Sequence, residues 1–255
     1  MHNPLWAIIS RGRLTQREVC PDLPEDASGL PTVTATPCAG PGCDRCAAAC
    51  PTQALTLTAD EKGGVVTLDR GRCVGCQACV EACPSQTLIP DRSTRTAVRT
   101  RAELVLTNRP ITAPAPAAPP PASLFERSLS VREVSTGSNA TDLEVLATTN
   151  AVFDVARFGI SYVASPRFAD ALLVTGPVGK AMQEPLRRCY DAMAEPRLVI
   201  AAGTDAISGG LHAGGYAEAN GLGDLLPVDC FIPGDPPHPW SLLHGLLLTM
   251  GREVR

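Results

Sequence analysis

Long apolar runs are missing from this 255-residue chain. None approaches the roughly 18 residues that a bilayer-spanning helix needs, so no segment is expected to cross a membrane. No secretory leader is expected either. Met1 to Ser10 holds a short apolar patch, Leu5-Trp6-Ala7-Ile8-Ile9, followed by Arg11 and Arg13, too short for a signal sequence and without a twin-arginine pair. The patch reads either as a docking element for a membrane-bound partner or as an ordinary terminal helix. Strong charge of one sign is lacking: a net charge of −4 and a pI near 5.6 give no reason to expect nucleic acid as a partner. The four histidines have no ligand spacing. His212 lies in a loop beside Gly214-Gly215 and His238 in a proline turn, and no nucleophile–base constellation is visible. The segment Val174-Thr-Gly-Pro-Val-Gly-Lys180 lacks the Gly-x4-Gly-Lys-Ser/Thr form and has Ala181 after the lysine, which excludes a phosphate loop.

Cysteine, in contrast, is abundant. Eight of the eleven cysteines lie between Cys38 and Cys83. An extracellular disulfide framework is one reading of such density. Here the spacing repeats a cluster-ligand pattern and no leader is expected ahead of it, so reduced thiols and a cytoplasmic location are expected. One run is Cys73-Val-Gly-Cys76-Gln-Ala-Cys79-Val-Glu-Ala-Cys83-Pro84; the other is Cys38-Ala-Gly-Pro-Gly-Cys43-Asp-Arg-Cys46-Ala-Ala-Ala-Cys50-Pro51. Short gaps let several thiolates face one concave turn, where backbone N–H groups also reach the sulfurs. In such paired runs the fourth cysteine serves the other cluster. On this pattern Cys38, Cys43, Cys46 and Cys83 hold one 4Fe–4S cluster, and Cys73, Cys76, Cys79 and Cys50 hold a second. A zinc module or a redox dithiol is the plainer alternative, but zinc sites do not usually come as paired four-cysteine runs. Cys38 and Cys43 stand further apart than the pattern asks, and Gly40-Pro41 reads as a turn insertion.

The rest of the chain divides around these runs. Residues 1–37 are an N-terminal extension, with an extended lead-in from Pro21 to Pro37. Residues 38–109 form the two-cluster domain, with a β-hairpin expected from Ala54–Thr58 and Gly64–Leu68. Residues 110–122, rich in Pro and Ala, form a semi-rigid linker. In 123–255, short apolar runs ended by Gly or Pro alternate with helical spacing. Strands are expected near Ser128–Val131, Ile160–Val163, Ala171–Val174, Leu198–Ala201 and Val228–Ile232. Helices are expected over Met182–Met193 and Trp240–Met250, the latter with Leu242, Leu243, Leu246 and Leu247 inward. The fold class is an α+β ferredoxin-like domain followed by an α/β domain with a mainly parallel sheet. Ligands of such sheets sit beyond the carboxyl ends of the strands. Three loops meet there, Ser135–Thr141, Gly203–Gly210 and Ile232–Pro239.

The segment from Cys38 to about Ile89 resembles a bacterial two-cluster ferredoxin domain. The second domain carries Ala164-Ser-Pro-Arg-Phe-Ala-Asp170, Leu172-Leu-Val-Thr-Gly-Pro177, Glu184-Pro-Leu-Arg-Arg188 with Tyr190-Asp191, Val228-Asp229, Ile232-Pro-Gly234 and Pro236-Pro237. With these it resembles the small cluster-bearing subunit shared by respiratory complex I and the membrane-bound group 4 NiFe hydrogenases, including formate hydrogenlyase. The resemblance spans Leu124 to Gly251. It implies electron relay within an oxidoreductase that couples quinone or proton reduction to ion translocation. It also implies a large hydrogenase-like or complex I-like subunit, membrane subunits, a donor such as a ferredoxin or a dehydrogenase, and a peripheral place on the inner face of the cell membrane. The family holds one further 4Fe–4S cluster in the three loops. This chain has Asn139 and Thr141 in the first, Asp205 in the second and Asp235 in the third, with no thiolate, so that cluster is expected to be absent. Cys189, on a helix face, and Cys230, inside a strand, are expected in the core instead. Asp205, Asp235, Asp142 and Thr141 either form an oxygen site for a hard cation or cap helices and fill space. No catalytic residue is expected in this chain. A scaffold or redox-sensing subunit is the alternative function.

Overall fold

Alternation of buried and exposed residues builds the first sheet. In the computed structural model, which describes residues 9–10, 18–40, 42–61, 63–109, 122–137, 140–223, 225–252 and 254, strand β2 (Leu55–Asp60) pairs antiparallel with β3 (Gly63–Asp69). Along β3 every second residue is buried, which sends Val66 and Leu68 inward. Strand β5 (Val105–Thr107) adds to the other edge of β3, where Asn108 accepts from the Val66 N–H and donates to the Gly64 carbonyl. The lead-in is partly ordered as strand, because β1 (Pro31–Val33) pairs antiparallel with β4 (Leu88–Pro90). Two single-turn helices, α1 (Arg45–Ala48) and α2 (Ala78–Glu81), carry Cys46 and Cys79. The apolar patch before Ile9, linker residues 110–121 and Asn139 lie outside the described residues.

The second sheet is parallel throughout, in the order β10-β9-β8-β6-β7. Its strands are β6 (Leu129–Ser135), β7 (Ile160–Tyr162), β8 (Ala171–Thr175), β9 (Leu198–Ala202) and β10 (Cys230–Ile232). Strands β8 and β9 are buried at every position, as apolar runs covered on both faces must be. Around them stand α3 (Ala122–Phe125), α4 (Ala140–Ala147), α5 (Gln183–Asp191), α6 (Thr204–Ser208) and α7 (Pro239–Thr249). On one face Leu129, Val131, Leu173 and Ile200 pack with Val145 of α4 and with Leu243 and Leu246 of α7. On the other, Val134, Leu172, Val174 and Val199 pack with Leu186 of α5. His238 caps α7 by accepting the Trp240 N–H at Nδ1, and Pro239 fills its first position.

The two halves are joined before the linker begins. Val98 and Phe231 exchange both backbone hydrogen bonds, at 2.9 and 2.8 Å, beside β10. His244 on α7 accepts the Ala97 N–H, Arg99 donates to the Leu248 carbonyl, and Cys20 lies against the Trp240 carbonyl.

Candidate metal centre

The thiols fall into two neighbouring groups. Cys50, Cys73, Cys76 and Cys79 border one small cavity together with Thr52, Leu55 and Leu68. Chain reversal at Pro51 brings Cys50 there from the upstream run. Two backbone N–H groups point at these sulfurs, Ala54 at Cys50 (3.2 Å) and Gly75 at Cys73 (3.4 Å). Burial pushes the Cys73 thiol up to about 11 and Cys79 to about 12, with Cys50 and Cys76 adding to both. In the other group Cys46 is raised by burial and then by its neighbours Cys83 and Cys38. Cys83 is the lowered thiol: burial raises it, but hydrogen bonds from Leu88, Ser85 and Thr87 outweigh that. Cys38 and Cys43 line a hollow of about 250 Å³, which neither Cys46 nor Cys83 borders. The inserted loop between them turns on Gly40 and Gly42, whose φ values of +95° and +103° favour glycine. The donor set suits clusters held by thiolates: sulfur from two runs around one hollow, with N–H groups aimed at sulfur. Among the described residues no three His, Cys, Asp or Glu side chains could hold a single metal ion.

The carboxyl ends of β9 and β10 are stitched together and then to the cysteine loop. Gly203 N–H donates to the Ile232 carbonyl and Thr204 N–H to the Gly234 carbonyl, both at 2.8 Å. The Thr204 hydroxyl donates to the Cys73 carbonyl at 2.8 Å. Thr141 is fully buried, and a Cβ on Gly203 would lie 2.8 Å from its Oγ1. Asp205 is 3 % exposed, and a Cβ on Gly210 would lie 2.0 Å from its Oδ1. Burial and the nearby Asp205 push Asp235 up to about 6, against the pull of His212. Thr141, Asp205 and Asp235 thus stand at three meeting loops, where they offer oxygen and fill space closely. They do not fit a thiolate-held cluster. Asp142, the fourth member of the oxygen set that the sequence left as one of two readings, accepts from Ser135 and Thr175 at the end of β6 and β8. Cys230 is fully buried in β10, and Cys189 is partly buried on α5.

Sequence reasoning missed Thr204, whose partner is 131 residues away. It also missed a cavity of about 310 Å³ between Val74-Gly75 of the cysteine loop and the Pro233–His238 turn. Thr96, whose hydroxyl has no hydrogen-bond partner among the described residues, lines it.

Residues 139–249 match the family described as NADH ubiquinone oxidoreductase, 20 Kd subunit, and residues 38–87 match the 4Fe–4S dicluster domain. The chain joins these two domain families. An NADH-quinone oxidoreductase subunit of Desulfovibrio desulfuricans is 44% identical over 121 residues, which cover 48% of this chain and 66% of that protein. Formate hydrogenlyase subunit 7 of Escherichia coli is 39% identical over 128 residues, half of each chain. In the solved structure of an archaeal membrane-bound sulfane sulfur reductase, one chain aligns with a TM-score of 0.47 at 28% identity over 51% of this chain and 72% of that one. The chain spans about half to two thirds of the length of the curated relatives it matches. The resemblance read from the sequence is therefore correct in family for both domains. No helix among the described residues is long and apolar enough to cross a membrane.

Proposed function

We propose that this chain is an iron–sulfur electron-transfer subunit of a membrane-associated oxidoreductase of the complex I or group 4 hydrogenase kind. Cys38, Cys43, Cys46 and Cys83 hold one 4Fe–4S cluster; Cys50, Cys73, Cys76 and Cys79 hold the other. The clusters supply one-electron redox chemistry when bound. The chain's own residues hold the thiolates, and Leu55, Leu68 and Leu88 pack in one buried cluster with Cys46, Cys73 and Cys79. The second domain docks against a large subunit and carries no cluster of its own. What carries this reading is the meeting of Cys50, from the upstream run, with Cys73, Cys76 and Cys79 around one hollow. The Cys79 thiol also feels Cys46 of the other group, a closeness that suits electron hopping.

Iron and acid-labile sulfide after anaerobic purification test it. Two four-iron centres give about eight irons per chain, and Cys50→Ser lowers this to about four. About twelve irons would overturn the empty second domain. Zinc in place of iron would overturn the whole reading. A scaffold role draws support from the oxygen-lined loops of the second domain. Assembly that survives loss of the eight cysteines favours the scaffold, and fast reversible one-electron exchange favours transfer.

A further inference from the structure

Among the described residues, the parallel sheet has an edge that is only half covered. Strand β7 pairs with β6 at Leu129, Ser130 and Val131 and then stops. Val163 gives the last bond, its N–H to the Val131 carbonyl, and the chain turns away. Strand β6 continues to Ser135 with β8 on its other side. Backbone groups of a strand alternate in direction. Leu129 and Val131 bond toward β7, while Ser130 and Thr136 bond toward β8. By that alternation Glu133 and Ser135 aim their N–H and C=O groups at the open edge.

This edge forms the floor of a groove of about 640 Å³ with apolar walls. Leu143 and Leu146 of α4 supply one wall at 68% and 65% exposure. Met182, Pro185 and Cys189 supply the other. Helix α4 buries Thr141 and Val145 while Leu143 and Leu146 face solvent. Among the described residues nothing covers Leu143 and Leu146. The floor is charged in an ordered way. Glu133 lies on the α4 side near Asp142, and Arg132 lies on the α5 side with a buried Nε that has no acceptor among the described residues. Burial, then Asp142, pushes Glu133 up to about 7, so a cation beside it would be favoured.

We propose that the β6 edge at residues 132–135 receives an extended segment of a partner subunit as an added strand. An edge strand with free backbone groups is a ready template for such addition. Charge complementarity sets the partner's chemistry. Its alternate side chains turn to the two walls, apolar ones against Leu143, Leu146, Met182 and Pro185. A basic side chain meets Glu133 and Asp142, and an acidic one meets Arg132. The carboxylate discriminates against a wholly apolar strand, which would leave it unpaired. This inference rests on the reading of the chain as a subunit and names the surface that reading requires.

A photo-crosslinking residue at position 146 of the tagged full chain, expressed in its own host, tests it. The expected result is a crosslink to one segment of a co-purifying subunit, stronger than that from the exposed control position Tyr216. Glu133→Lys lowers the yield at least tenfold. The double variant Leu143→Asp/Leu146→Asp, without the crosslinker, keeps the melting temperature and loses the partner by at least tenfold. If a partner co-purifies but position 146 crosslinks no better than position 216, or only to this chain or a second copy, the inference is overturned and the subunit reading stands. A chain that purifies alone from its host's membranes overturns both.

Discussion

Thr204 serves both halves of the molecule with a single hydroxyl. It donates to the Cys73 carbonyl at 2.8 Å, and the Gly234 N–H approaches the same oxygen at 3.4 Å. Thr204→Val keeps the shape and leaves both backbone groups without this partner inside the protein. Such a loss costs about 1–3 kcal/mol. The unfolding free energy of the anaerobic protein, taken from urea titration, is expected to fall by that amount with an unchanged slope and a lower midpoint, and Thr204→Ser restores it. A valine variant as stable as the parent would mean that water replaces the hydroxyl. The residue also marks what a sequence reveals. The cysteine pattern was legible because three thiols of each proposed set are close along the chain, and only the fourth needs a return. Thr204 acts across 131 residues, and no spacing rule reaches that far. Asp205 and Asp235 were found by their place in family loops. The pairing of Asp142 with Ser135 and Thr175 depends on how α4 sits over β6, which no local pattern fixes.

Helix α7 was legible from its leucine spacing, since Leu242, Leu243, Leu246 and Leu247 are all buried. The role of its glycine was not. A Cβ at Gly245 would lie 2.4 Å from Ile232 Cδ1 and 2.5 Å from its Cγ1, so the helix touches β10 because this residue has no side chain. Gly245→Ala gains about 0.5–1 kcal/mol in helix propensity and loses about 1–3 kcal/mol through overpacking against a fully buried isoleucine. Net destabilisation of about 1–2 kcal/mol is expected, seen as a lower thermal midpoint with iron content unchanged. A higher midpoint would show that α7 can move outward freely. Strands tell the same story. The β2–β3 hairpin and the buried runs of β8 and β9 were readable, because alternation and apolar runs are properties of the chain itself. The three-residue strands β1 and β5 have no such signature. They are strands because β4 and β3 offer an edge.

At the scale of the molecule, the proline-rich stretch lies outside the described residues, and the two halves meet ahead of it. Residues 97–99 cross to β10 and α7, and His244 sits in that joint with Nδ1 accepting the Ala97 N–H at 3.2 Å. Burial, and secondarily Arg95, lowers its pKa to about 4. The ordinary value for an unfolded histidine is about 6.5. Between those values the unfolded chain binds a proton that the folded chain refuses, so stability falls as pH drops through this window and is fully present above it. With allowance for residual contact with solvent, the loss from this one group between pH 7 and pH 5 is about 1–2 kcal/mol. His244→Asn keeps an acceptor for the Ala97 N–H and removes the titration. Melting temperatures taken anaerobically at both pH values should therefore differ less in the variant than in the parent. Equal slopes would acquit His244 and move the acid sensitivity elsewhere. A flatter variant would place part of the acid sensitivity in this joint, because protonated Nδ1 donates and cannot accept, and the segment bearing Val98 then loses one of its ties to α7 while the Arg99 bond to the Leu248 carbonyl remains.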